Sequence, residues 1–150
     1  MTSTVRQYSI REAAEVTGLP ATTLRYYESV GLITPIARGE SSRHRVYSED
    51  DVDLIVWIAC LSATGMSISD MRRYLRNGAR GPAGAGGQIE LLSAHQRQLE
   101  IEAERLRVRQ RYVALKIDYW QAVRDGDGER ADALADEARA LADELKAPRD

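Results

Sequence analysis

A chain of 150 residues with 43% apolar and 29% charged side chains suits one compact domain or a small head with an extension, and excludes a large enzyme or a chain disordered throughout. Its longest apolar run, Leu54 to Leu61, is far short of the ~20 residues of a membrane helix, so no membrane partner is expected. The net charge of -2 conceals an uneven spread: residues 1 to 45 hold six Arg against four Glu, whereas residues 125 to 150 hold four basic against nine acidic side chains. The two ends therefore suit different partners.

Arg6, Arg11, Glu12 and Glu15 break up the first fifteen residues, unlike a secretory signal or a transit peptide, and a cytoplasmic location is expected. The single Cys60 excludes an internal disulfide. With only His44 and His95 at a distance, it does not make a structural zinc site, and neither metal nor cofactor is implied.

In chain order, Ser9-Ile10-Arg11-Glu12 is a capping box that opens a short helix ended by Gly18. Pro20 starts a second helical run through Leu24, Tyr27 and Val30, stopped by Gly31. Two short helices across a glycine turn predict a helix-turn-helix. From Leu32 to Tyr47, Pro35, Gly39, Ser41 and Ser42 interrupt short β-compatible pieces carrying Arg38, Arg43, His44 and Arg45, which predicts a hairpin or wing. Ser48-Glu49-Asp50-Asp51 caps a third, apolar helix, and Ser67-Ile68-Ser69-Asp70 a fourth. The domains expected are a winged helix-turn-helix DNA-binding head over 1–78, a glycine-rich linker over 79–87, a coiled-coil dimerisation helix over 88–124 and an acidic amphipathic accessory helix over 125–150.

The coil is the most regular segment. Leu92, Leu99, Leu106, Val113 and Trp120 recur every seven residues, and Ile89, Gln96, Ala103, Gln110 and Ile117 fill the second heptad position. The glutamines are polar layers that fix register. One such helix cannot bury its own stripe, so a homodimer is expected, held by Ile89, Leu92, Leu99, Ala103, Leu106, Val113, Ile117 and Trp120. In an antiparallel pair centred near Arg105, Glu102 meets the partner's Arg109 and Glu100 meets the partner's Arg107, whereas a parallel pair leaves Arg109 facing the partner's Ala114. The antiparallel pairing is preferred, although exposed ion pairs contribute little each. From Ile89 to Trp120 the helix is roughly 48 Å long at about 1.5 Å per residue, against about 34 Å between successive major grooves on one face, so either the heads lean inward or the DNA bends.

Arg25, Tyr26 and Tyr27 lie on the second helix of the helix-turn-helix, the element that normally enters the major groove. Arg binds guanine edges or phosphate, and Tyr offers a hydroxyl for phosphate or a ring for packing. An isolated Arg-Tyr pair is more often a solvated face over a core ring. Here the basic wing beside it favours DNA.

Thr23-Leu24-Arg25-Tyr26-Tyr27-Glu28, then Gly31-Leu32-Ile33, Pro35 and Arg45-Val46-Tyr47, resemble the motifs of MerR-family bacterial transcription regulators, in the family's order and over residues 8 to 77. The resemblance implies an all-α fold with a small β wing: a winged helix-turn-helix head on a long antiparallel coiled-coil dimer, distorting promoter DNA whose spacer is overlong. It implies that Thr22, Arg25, Tyr26, Tyr27, Arg38, Arg43, His44, Arg45 and Tyr47 contact DNA. RNA polymerase at the promoter is a further implied partner. The sequence departs from the family at Arg43-His44, where Gly-Tyr is usual, at Pro20, where Ser or Thr caps, and at Ser62, where a basic residue is frequent.

Cys60 is the chain's one reactive thiol. A lone cysteine is commonly a small core residue. Its place between Trp57-Ile58-Ala59 and Gly65-Met66 resembles the single cysteine of the family's aldehyde- and thiol-stress-responsive subgroup, which implies a sensor for an electrophile, with a helix N-terminus or Arg72 and Arg73 favouring the thiolate. Three alternatives remain open. One is a regulator controlled by a small hydrophobic ligand near the coil, where Tyr119 and Trp120 sit. Another is a winged-helix interaction adaptor that does not bind DNA. The third, a thiol enzyme, is disfavoured because no base or orienting acid accompanies Cys60, His44 or His95 at motif spacing. The run Gly81 to Gly87 lacks the Lys-Ser/Thr of a phosphate loop.

Overall fold

The computed structural model describes residues 5–146; the outermost ends of the expected head and acidic helix, 1–4 and 147–150, lie outside the described residues. Two compact units divide the chain, Met1–Leu91 and Leu92–Asp150. No helix among the described residues is long and apolar enough to cross a membrane.

In the first unit, helices α1 (Ile10–Thr17), α2 (Ala21–Ser29), α3 (Glu49–Ala63) and α4 (Ile68–Ala79) surround one core. Their starts follow from local chemistry. Ser9 and Glu12 exchange side-chain and backbone hydrogen bonds at 3.2 Å each. Ser48 and Asp51 do the same at 2.9 and 3.1 Å, so a shorter acid completes the box ahead of α3. Three acids in the first turn of α3 also oppose the positive end of its dipole. Pro20 precedes α2 without a side-chain cap; its ring presets the entry angle instead.

The core gathers Leu24 and Tyr27 of α2 with Leu32, Ile33, Ile36, Tyr47, Val52, Ile55, Ile58, Met66 and Met71. A short antiparallel ladder between β1 (Gln7–Tyr8) and β2 (Tyr47–Ser48) ties the start of the head to the end of the wing. Sequence periodicity gives no hint of it, because two residues per strand carry no alternation. Arg72 of α4 donates through its guanidinium to the carbonyl of Val30, just after α2. That bond ties α4 to the helix-turn-helix.

Tyr47 is fully buried and its hydroxyl has no hydrogen-bond partner among the described residues. Burial raises its pKa above the ordinary 10.0, Arg45 partly opposing. Replacing Tyr47 with Phe removes an unpaired hydroxyl from the core and is expected to stabilise the head by about 1 kcal/mol, raising Tm by about 4 °C or more. The raised pKa sets the sign with pH: the folded head keeps the proton, so the wild type holds its stability below the unfolded-state pKa of this group and loses it as pH rises through the folded one, whereas Phe does not titrate. Thermal melts of both proteins at neutral pH and at about pH 11 check this: the wild type loses more stability than Tyr47→Phe at the higher pH.

The glycine-rich linker expected over 79–87 is corrected by the structure. Helix α4 runs to Ala79, a 3-10 turn spans Gly81–Gly84, and α5 (Ala85–Arg124) starts at once. Two of these glycines, Gly84 and Gly87, make room for Asn77, and Gly81 takes a left-handed φ of 59°. Gly84 is buried, and a Cβ there would lie 1.9 Å from the carbonyl oxygen of Asn77. Gln88 Nε2 closes the corner on the Tyr74 carbonyl at 2.9 Å.

In the second unit, α6 (Gly128–Leu145) follows α5, its start capped by Asp127 accepting from the Arg130 N–H at 3.1 Å. Its Leu134, Ala138 and Leu141 cluster with Val108, Tyr112 and Leu115 of α5. Helix α5 thus carries two apolar stripes. The one facing α6 includes Val108, Leu115 and Ala122, again seven residues apart.

Candidate nucleic-acid interface

The 3.6-residue period of α2 turns Leu24 and Tyr27 inward and leaves Thr22, Arg25, Tyr26 and Ser29 exposed. The ring of Tyr26 leans on that of Tyr27, centroids 6.3 Å apart, while its 51% exposure leaves the hydroxyl end accessible. Tyr27 donates its hydroxyl to Ser62 Oγ at 3.3 Å, so Ser62, where a basic residue was anticipated, ties α3 to α2.

The wing is a short hairpin. Val46 N–H donates to the Ala37 carbonyl at 2.8 Å and Gly39 N–H to the His44 carbonyl at 3.0 Å, around the bridge Arg38–Arg45. Arg43 turns the tip with φ at 55°. A left-handed conformation disfavours a residue with a Cβ by ~1–2 kcal/mol, and Arg43 carries that strain at the tip. Arg38 Nη1 donates to the Arg43 carbonyl at 3.2 Å and steadies that turn.

These elements converge on one cleft of about 430 Å³ lined by Ser9, Ile10, Arg11, Arg25, Arg38, His44 and Arg45, without a carboxylate in its wall. Arg45 is held by Glu28, Nε to Oε2 at 3.1 Å, with both side chains largely buried. Glu28 thereby fixes the direction of Arg45 and removes part of its charge. The remaining cations face an opening whose chemistry suits a phosphate.

Of the nine residues predicted to contact DNA, the cleft brings together Arg25, Arg38, His44 and Arg45. Thr22, Tyr26 and Arg43 are exposed nearby along the same elements. Tyr27 and Tyr47 are corrected: at 5% and 0% exposure they are core residues, because the helical phase of α2 and the β1–β2 pairing turn their rings inward. Arg11 was missed. It stands two residues after the Ser9 cap on the outer face of α1, and only the tertiary fold carries it to the wing. No local pattern distinguishes it from an ordinary solvated arginine.

Cys60 lies on the outer face of α3 and is exposed, which removes the reading of it as a core residue in the single chain. Val56 and Trp57, one turn earlier, are exposed with it, Trp57 at 68%. Along α5, the large residues of the predicted seam are all uncovered, from 37% at Leu99 to 66% at Ile89, and Ala103 is exposed between them.

Residues 8–78 match the family model described as the MerR HTH family regulatory protein. The chain is 34% identical over 111 residues to the HTH-type transcriptional regulator YyaN of Bacillus subtilis (strain 168), covering 66% of this chain and 80% of that protein. It is 44% identical over 66 residues to the HTH-type transcriptional regulator AdhR of the same organism, covering 44% of this chain and 46% of AdhR. It thus spans about half of AdhR's length. Among solved structures, HiNmlR, a MerR family regulator lacking the sensor domain and bound to promoter DNA, superimposes with a TM-score of 0.66 at 25% identity, covering 86% of this chain and 96% of that one.

Proposed function

Because this chain belongs to the MerR family of helix-turn-helix regulatory proteins and is a DNA-binding regulator of transcription, we propose that it grips promoter DNA as a homodimer, distorts it, and changes state when Cys60 reacts with an electrophile. The observation that carries the DNA half of this reading is the carboxylate-free cleft in which Arg11, Arg25, Arg38 and Arg45 converge beside α2. Arg25 and the wing bind the duplex, with Thr22, Tyr26, Arg43 and His44 flanking it. RNA polymerase is the further partner at that promoter, and the cytoplasm the compartment.

The homodimer rests on the bare heptad stripe of α5. Hydrophobic side chains repeated at this period and left exposed on one face fit a second copy of the same helix. Antiparallel pairing sets Ala103 against the partner's Leu106 and Glu102 against the partner's Arg109. The sensor role rests on the exposure of Cys60 next to Trp57: its sulfur can reach an aldehyde carbonyl and form a carbon–sulfur bond as the C=O π bond opens, the thiol proton passing to the oxygen to give a hemithioacetal. Modification then repacks α3 against the dimer helix and alters the separation of the two heads, giving two DNA-bound states.

Footprinting of the promoter beside the chain's own coding region, with and without an aldehyde, tests this. Protection by the wild type that shifts on aldehyde addition, and protection by Cys60→Ser that does not, is the expected pattern. A full aldehyde response in Cys60→Ser removes the sensor role; unbent DNA in circular-permutation gel shifts, with and without aldehyde, removes the distortion.

A further inference from the structure

Within the second unit, α5 and α6 enclose a groove of about 390 Å³ whose chemistry the regulator reading leaves unused. Its size falls in the range of small-molecule sites. One wall is aromatic: Tyr112 and, two turns later, Tyr119 and Trp120 project from α5, and the Tyr119 and Trp120 rings meet edge to face with centroids 5.3 Å apart. The opposite wall is Ala135 and Ala138 of α6, and their small side chains leave the space open. Between them stands Lys116, its Nζ 5.4 Å from the Tyr112 ring centre and 6.0 Å from that of Tyr119. Both faces attract the ammonium, so a flexible side chain is held over the groove. Arg139 adds a second cation at the rim, paired with Asp136 at 3.0 Å, and no carboxylate lines the cavity.

We propose that this groove binds a small planar aromatic anion of the arylcarboxylate class, its ring against the tyrosine and tryptophan faces and its carboxylate on Lys116 Nζ. Aromatic walls select a flat π-system. A positioned ammonium without a competing acid in the lining selects negative charge. Binding at the site stands on the α5–α6 unit alone; its regulatory effect rests on the dimeric reading above. In the antiparallel pair Trp120 faces the partner's Ile89, so a ring wedged behind Trp120 shifts the end layer of the seam and alters promoter affinity.

The test is calorimetric titration of the full chain with 1-naphthoate, 1-naphthylmethylamine and cyclohexanecarboxylate, alongside gel shifts on promoter DNA. Saturable naphthoate binding is expected, about tenfold weaker in Lys116→Gln, as loss of one charge-assisted contact implies. The amine and the non-aromatic acid each bind at least about tenfold more weakly than naphthoate. Ala135→Leu, which fills the groove, abolishes uptake; should that variant misfold by circular dichroism, Lys116→Gln and the ligand series decide. Absence of saturable naphthoate binding, equal binding of the amine, or an unchanged affinity in Lys116→Gln overturns the site. Naphthoate uptake by a chain that shifts no DNA keeps the site and removes the regulatory effect, whereas DNA binding without naphthoate uptake removes the site alone.

Discussion

Replacing Arg25 with Ala will weaken binding to promoter DNA by about 1–3 kcal/mol, on the order of tenfold to a hundredfold, and will reduce the salt dependence of that binding. The cleft geometry distinguishes between two roles for this residue. Arg25 shares a wall with Arg11, Arg38 and Arg45, and on the proposed DNA reading such a gathering of cations favours a phosphate over a lone guanine edge. Loss of a phosphate contact flattens the plot of log K against log salt by about 0.9 per head and weakens all DNA sequences alike. Fluorescence anisotropy on promoter and scrambled duplexes at several salt concentrations reads both quantities. Arg130→Ala, far along the chain on α6 and outside the groove between α5 and α6, serves as the charge-matched comparison and leaves the slope unchanged. A slope equal to that of the wild type, with affinity lost only on the promoter, would assign Arg25 to a base.

Leu106→Lys will convert the dimer to monomers and abolish promoter binding at concentrations where the wild type saturates. Leu106 is at the middle of the predicted seam, 53% exposed in the single chain, and in antiparallel pairing it packs on the partner's Ala103, so one substitution acts twice across the two-fold axis. Burying a leucine contributes roughly 1.5–3 kcal/mol, and a lysine there adds the desolvation of a charge. The dissociation constant is therefore expected to rise by at least about a hundredfold, which light scattering coupled to size exclusion measures. Leu106→Met keeps volume and polarity and retains the dimer. The helical signal of the single chain survives in Leu106→Lys because the side chain faces away from α6. A monomeric wild type at micromolar concentration would remove the dimer and this prediction together.

Much of the head was legible in the sequence because its signals are local. The Ser9, Ser48 and Ser67 caps mark helix starts to the residue, and the cations of the wing stand out from a short non-helical stretch. What escaped was decided at a distance. Tyr27 and Tyr47 share the residue type of an interface contact, and only helical phase and a two-residue ladder turn them into the core. Arg11 reaches the cleft through packing of α1 on α2. The glycines of 78–87 were read as slack because composition does not separate a glycine needed for mobility from one needed for room; the Gly84–Asn77 approach is the second kind. The seam of α5 was legible as a period of seven, but its second stripe was masked, since two apolar faces on one helix cancel any simple amphipathic pattern.

That second stripe bears on stoichiometry. A helix with two opposed greasy edges can recruit neighbours on both sides and grow into trimers, larger bundles or filaments. By folding back, α6 sheathes the outer edge over Val108, Leu115 and Ala122 with its own Leu134, Ala138 and Leu141 and turns acidic side chains to the solvent. On the proposed dimeric reading each rod keeps one main adhesive edge, and assembly is expected to stop at two.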